Sequence, residues 1–266
     1  MILSEKGMYL SNNYWKGRGI FKELGLEGLP ERYIWPFSSN TKKYLKGGEI
    51  HKLTIELKKE LCSQWKKAVQ SDNQDKLIEI TKYIVQDWGG IKSNKEDKIK
   101  EYAESAKKDA DKNLDELSIS LTGIASYSKV LSIANPSRFA IFDARVAVSI
   151  VAIQLLSETD KGIYLGFLNG RNKIVGYNKE KWGFSQKDDF KKEHVRFDNW
   201  EKPKPIDVYK MYLEILRKDA AELSKDMSEL EMALFTDAEE LAILCFKEFK
   251  IELTDEERRY IEEIHS

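Results

Sequence analysis

A mainly α fold is what this sequence predicts, on three observations. From His51 to Leu156, and again from Ile206 onward, apolar residues recur at three- and four-residue spacings with charged residues between them. The helix formers Leu, Glu, Lys and Ala are abundant in a chain that is 41% apolar and 33% charged. Where the periodicity breaks, Gly or Pro stands: Gly89-Gly90, Asn135-Pro136-Ser137, Pro203 and Pro205. The 266 residues suffice for one large domain or two modest ones.

The elements follow in order. Residues 1–50 are irregular and aromatic, with Tyr14, Trp15, Tyr33, Trp35, Phe37 and Tyr44 interrupted by Gly17, Gly19, Pro30 and Pro36. Such a segment is expected to wrap the core, its rings serving as anchors. Residues 51–266 are expected to form the helical domain. Leu53, Ile55, Leu57, Leu61, Trp65 and Val69 give a first helix, and a second runs from Asn73 to Trp88. A third, very polar helix spans Asn94–Lys112. Thr122-Gly123 leads into a short helix, Ser126–Ile133, and a turn at Asn135-Pro136-Ser137 follows. A strongly apolar helix then runs from Ala144 to Leu156. Residues 162–205, rich in Gly, Asn, Lys and aromatics, read as a long insert in which GIYLGFLNGRNKIVGY forms a small hairpin. Helices resume at Ile206–Leu223, Ser228–Phe235, Asp237–Lys250 and Asp255–Ile264.

Composition narrows the function classes. No apolar run approaches the ~20 residues of a membrane span, so no membrane partner is expected. The start, MILSEKGMYL, lacks a basic region followed by an apolar stretch, and Cys62 and Cys245 have no metal-ligand spacing. These features predict a cytoplasmic protein with reduced thiols and no zinc or iron–sulfur centre. Net charge is −1, yet residues 1–70 carry 13 Lys+Arg against 7 Asp+Glu, and residues 207–266 carry 8 against 17. That asymmetry permits one basic face on a neutral protein.

One carboxylate is out of place. Asp143 follows Phe139, Ala140, Ile141 and Phe142 in the most apolar region of the chain. It is placed to cap the helix that begins at Ala144. A carboxylate fixed at a helix start also suits the stabilisation of a sugar cation or the activation of water.

Leu121-Thr122-Gly123-Ile124-Ala125, then a helix, a Pro-containing turn and Phe142-Asp143-Ala144-Arg145-Val146, resembles the helix–hairpin–helix DNA glycosylase superfamily. That superfamily includes endonuclease III and the adenine-mismatch and 8-oxoguanine glycosylases. Its hairpin reads approximately Leu-Pro-Gly-hydrophobic-Gly, and its loop ends in Val-Asp-x-x-Val. The chain departs at Thr122 and Ala125, which replace Pro and the second Gly. The resemblance implies a two-lobed helical fold with a hairpin at 117–134 and a catalytic loop at 135–143. It implies Asp143 as the catalytic carboxylate. Gly123, Ile124, Ala125 and Ser126 would hold a phosphate of double-stranded DNA, with a structural monovalent cation at 121–126 and no other cofactor. Arg138 and Arg145 flank this region and are candidate phosphate contacts. The Schiff-base Lys of strand-cleaving relatives falls here at Tyr127, and Lys129 stands two residues later. A hydrolytic, monofunctional enzyme is therefore favoured, with Lys129 and Tyr127 as further candidate catalytic groups. Base extrusion needs a wedge and stacking partners, for which Trp88, Trp35 and Phe142 are candidates, together with Trp15 and Phe37.

Two other readings compete. A helix–hairpin–helix can grip DNA without chemistry, and a helical protein can bind a protein or small ligand while matching these motifs by accident.

Overall fold

The periodic stretches fold as helices. The computed structural model describes residues 9–35 and 47–265, so Phe37 and Tyr44 lie outside the described residues. Helices α1 (Asn12–Trp15) and α2 (Leu29–Arg32) belong to the N-terminal segment. The helical domain holds α3 (Gly47–Gln70), α4 (Gln74–Lys82), α5 (Glu96–Asp109), α6 (Ile124–Ala134) and α7 (Ala144–Leu156). After the insert come α8 (Val208–Leu223), α9 (Met227–Glu248) and α10 (Asp255–His265).

Local chemistry sets the boundaries that shape the site. The Asn73 side chain accepts from Lys76 N at 3.0 Å and starts α4. Past Lys82 the helix widens over Tyr83–Trp88, and Gly89 N reaches back five residues to Ile84 O at 2.9 Å. Gly90, at φ +67°, ends it. Helices α6 and α7 form the centre of the core. Every residue of α7 from Val146 to Leu156 is buried, and α9 packs along it. Burying each Val, Leu or Ile contributes roughly 1.5–3 kcal/mol, so this pair is the rigid floor on which Asp143 stands.

Two expectations are corrected. Ser228–Phe235 and Asp237–Lys250 are one continuous helix, α9. The hydroxyl of Thr236 bonds back to Met232 O at 2.7 Å within that helix, and the Asp237 carboxylate is used elsewhere rather than as a cap. The region 117–134 is not two short helices around a Gly. A single turn at Leu114–Glu116, closed by Asn113 and Glu116, gives way to non-helical backbone at Leu117–Ser120 before α6.

The N-terminal segment is anchored, as expected, by buried rings at Tyr14, Trp15, Tyr33 and Trp35. Two buried carboxylates complete the clamp. Asp237 accepts from Gly25 N at 2.7 Å and Tyr14 OH at 3.2 Å and pairs with Arg32. Asp219 Oδ2 accepts from Leu10 N at 3.1 Å and Trp15 Nε1 at 2.9 Å, while its buried Oδ1 has no partner. Burial pushes the Asp219 carboxyl up to about 7. The folded state then holds a proton that the unfolded chain has released above pH ~4, so Asp219 destabilises increasingly as pH rises through about 7. Asp219→Asn mimics the neutral acid. It is expected to gain on wild type by on the order of 3 kcal/mol between pH 5 and pH 8, read by thermal unfolding at each pH. A difference that stays constant with pH contradicts this assignment.

The insert has its own structure. Strands β1 (Arg171–Asn172) and β2 (Gly176–Tyr177) form the small hairpin expected there. Phe184 and Phe190 stack at 3.9 Å, and Phe167, Phe197, Tyr164 and Trp200 complete an aromatic core set against Phe246 and Phe249 of α9 and the turn beyond it. Gln154 of α7 fixes its start by bonding both Ile163 N and Ile163 O. Among the described residues no helix is long and apolar enough to cross a membrane.

Candidate active site

The apolar run before Asp143 is explained by how the structure holds it. Phe139 to Phe142 are buried. Tyr209 OH donates to Ala140 O at 2.9 Å, and Tyr212 OH donates to Ile141 O at 2.6 Å. Phe142 N donates to Ser128 Oγ at 3.0 Å. Four apolar side chains and three polar clamps thus deliver the next residue to a fixed point. Asp143 Oδ1 accepts from Arg145 N at 3.0 Å and Val146 N at 3.2 Å, capping α7. Its Oδ2 makes no hydrogen bond among the described residues.

Asp143 lines a cleft of about 890 Å³. One side is the turn Leu121–Ser126, with Gly89, Gly90, Ile91 and Asn94 beside it. Facing them is the insert segment Phe167–Asn172. Trp35 from the N-terminal segment and Phe235 from α9 complete the lining, with Lys129, Ala144 and Arg145.

Gly123 carries the turn. Its φ is +79°, and a Cβ there would meet Tyr102 Oη at 2.4 Å. Leu121 O accepts from Ile124 N, and Gly123 O accepts from Ser126 N and Tyr127 N. The N–H groups of Gly123 and Ala125 find no acceptor among the described residues, as expected for a helix start. Such a start suits a phosphate. The carbonyls of this turn are engaged in hydrogen bonds. Leu121 O and Gly123 O already accept from backbone amides, and Ala125 O accepts from Lys129 Nζ at 2.8 Å. The described residues also hold no cluster of metal-ligating side chains.

Lys129 is the second group of the cleft. It is 3% exposed, and Gly89 makes room for it: a Cβ at residue 89 would stand 2.9 Å from Lys129 Cδ. Burial drives the amine pKa down, Lys58 adds to that, and Asp143 and Glu231 oppose it. Burial thus favours the neutral form of this amine more than water would, which is the direction a nucleophilic lysine needs.

Several expected site residues lie elsewhere. Tyr127 points out of the cleft into a separate recess, stacked on Tyr102 at 5.6 Å with its hydroxyl on Asp109 at 2.8 Å. Phe142 is 0% exposed and packs on Tyr212 at 4.8 Å, so it is core rather than wedge. Trp88 is buried in the layer behind Trp35, stacked on it at 4.8 Å and accepting from Trp35 Nε1 at its carbonyl. Trp15 is spent on Asp219. The Arg138 guanidinium is tied to Asp111 O and Asn113 Oδ1, and Arg138 is not among the cleft-lining residues. Arg145 does line the cleft, paired with Glu239 and lying 4.9 Å over the Phe235 ring.

Other lining residues had no signal in the sequence. Asn94, whose amide donates to Ser126 Oγ at 3.0 Å, comes from the stretch just before α5. Arg171, exposed and without a carboxylate partner among the described residues, comes from the insert. Comparison with known proteins adds nothing to this geometry: no family model matches the chain, and no curated protein or solved structure does.

Proposed function

We propose that this chain is a DNA glycosylase, one that keeps the Gly turn and the catalytic carboxylate of the helix–hairpin–helix superfamily without the first helix of its hairpin. It would extrude a damaged or modified base from duplex DNA and hydrolyse the N-glycosidic bond, leaving an abasic site. One observation carries the reading: Asp143, Lys129 and the amides after Gly123 line one cleft. Breaking a glycosidic bond builds positive charge on the sugar. A carboxylate whose position is fixed by the core stabilises that charge without reorganising. The turn at Gly123 is suited to hold a backbone phosphate beside it. Trp35 and Phe235 supply aromatic walls for an extruded base. Repair of a damaged base and defence against DNA with modified bases both use this chemistry.

A second reading of the cleavage step is favoured by Lys129. Burial lowers its amine pKa, and the amine is suited to attack the sugar C1′, displacing the base, and on opening of the ring to form an imine, which would add strand cleavage to base release. The hydrolytic expectation rested on Tyr127 occupying the nucleophile position, and Tyr127 faces away from the cleft.

Duplex binding tests the DNA partner. The affinity of wild type for a short duplex is expected to weaken at least about tenfold between ~50 and ~200 mM salt, as several phosphate contacts require. Arg171→Ala is expected to lower the log–log salt slope by about one. Fluorescence anisotropy reads both. Affinity that is absent, or insensitive to salt, would sink the nucleic-acid reading.

A further inference from the structure

The recess beside the Gly123 turn has no role in the chemistry above. It encloses about 340 Å³ between α5, residues 118–120, Thr122 and Tyr127 of α6. Small-molecule pockets begin near ~300 Å³, so a ligand of one ring fits and a larger one does not. Among the described residues only Thr122 lines both the recess and the cleft, and the two are separate spaces.

The lining is graded from apolar to polar. Tyr102, Tyr127 and Ile119 are buried and form the floor, the two rings stacked at 5.6 Å. Four hydroxyls stand nearer the solvent: those of Ser118, Ser120 and Thr122 are on exposed residues, and Ser105 is half-buried. Ser120 Oγ accepts from Thr122 N at 3.1 Å and keeps its own hydrogen to donate. The charged groups are paired within the protein. Lys98 Nζ, 5.0 Å from the Tyr102 ring, lies 2.7 Å from Glu101 Oε1. Asp109 accepts from Tyr127 OH at 2.8 Å and from Lys112 Nζ at 2.7 Å.

This arrangement selects a chemistry. Paired lysines and carboxylates leave little net charge to attract a phosphate or an amine. A flat base needs a slot between rings, and Tyr102 and Tyr127 close on each other. Hydroxyl groups donate and accept at once, so a rim of them suits a ligand that carries hydroxyls itself. A sugar ring has such a rim and, on its faces, C–H groups that pack on aromatic and aliphatic carbon.

We propose that this recess is a second binding site, for an uncharged monosaccharide with one face on the floor and its hydroxyls on Ser105, Ser118, Ser120 and Thr122. The site goes beyond the proposed function and does not depend on it.

Saturation-transfer NMR on the full-length protein reads it, with D-glucose, D-galactose, D-mannose and D-ribose offered one at a time, each beside its methyl glycoside. At least one is expected to receive saturation, with a millimolar Kd. Ser105→Ala, which removes one hydroxyl from a helix that favours Ala, should weaken binding about two- to tenfold. Ser105→Leu, which puts an apolar branch into the recess, should weaken it at least about tenfold. Arg171→Ala, on the wall of the cleft, should leave it unchanged, and thermal unfolding checks that each variant is folded. Binding of a free sugar but not of its glycoside identifies the free sugar as the ligand. Equal binding of both leaves the anomeric oxygen open to a larger carrier. No transfer to any of these sugars at tens of millimolar overturns the proposal. So does binding that survives Ser105→Leu, binding that is lost in Arg171→Ala, or displacement of the sugar by inorganic phosphate.

Discussion

Asp143→Asn is expected to lower abasic-site formation by about 10²–10³-fold or more while leaving the melting temperature within a degree or two of wild type. The two effects separate because Asp143 has two jobs. Oδ1 caps α7 through Arg145 N and Val146 N, and an Asn oxygen caps about as well. The residue lines the cleft, where a carboxylate, unlike an amide, offers a negative charge to a sugar cation. Asp143→Ala should lose both, with a further ~1 kcal/mol of stability from the missing cap. Aldehyde-reactive labelling of the DNA reads the first effect and thermal unfolding the second. An Asn variant that retains wild-type product formation would leave Asp143 a helix cap and nothing more. Duplex affinity that is unchanged while no protein, wild type included, forms product would instead favour a DNA-binding protein without chemistry.

Lys129 gives the second large effect. On the second reading, in which Lys129 forms an imine, borohydride is expected to trap wild type on DNA that contains an abasic site. The amine adds to the C1′ aldehyde with loss of water, and reduction of the resulting C=N bond leaves a stable secondary amine detected as a slower-migrating band. Lys129→Met should abolish the band, since no other described residue presents an amine among those that line the cleft. The pH dependence has a definite sign. Burial lowers the amine pKa, so trapping should persist toward lower pH than a surface lysine would allow. Abasic product without any trapped complex would restore the hydrolytic mechanism, with water as nucleophile and Asp143 its activating base.

Much of the helical architecture was legible because it rests on periodicity. The apolar spacing from Leu53 to Val69 and the unbroken apolar run after Ala144 left little choice but helices. The break expected between Phe235 and Asp237 was an error of local reasoning. Thr236-Asp237 reads as a cap, but the Asp237 carboxylate is committed to Gly25, Tyr14 and Arg32, some 200 residues away in sequence. The first helix of the hairpin implied at 117–134 is absent because a one-turn helix at Leu114–Glu116, closed by its own capping box, gives way to non-helical backbone at Leu117–Ser120.

The site divides the same way. Asp143 was conspicuous because a carboxylate after four apolar residues is costly unless something holds it. What holds it was invisible: Tyr209 and Tyr212 sit one turn apart on α8, about 70 residues on, and Ser128 looks like any small polar residue on a short helix. Aromatic residues were poor guides. Of Trp15, Trp35, Trp88 and Phe142, only Trp35 reaches the cleft, because a large ring stabilises a core and a pocket wall equally well. The insert reads from the sequence as an addition of the kind a specialised pocket needs, and Phe167–Asn172 lines the cleft, with Gly170 packed against Ala144. Nothing local in Asn169 or Arg171 marks them for that place.

The most direct measurement is of the bond itself. Wild-type protein is incubated with duplex DNAs in which one strand carries an oxidised, alkylated or bulky modified base, and the small-molecule fraction is searched by mass spectrometry for the free base. Release of the free base with an equal amount of abasic sites in the polymer is the predicted result, for at least one substrate class. Tight, salt-dependent binding to those duplexes with neither free base nor abasic sites, across all classes, would contradict it.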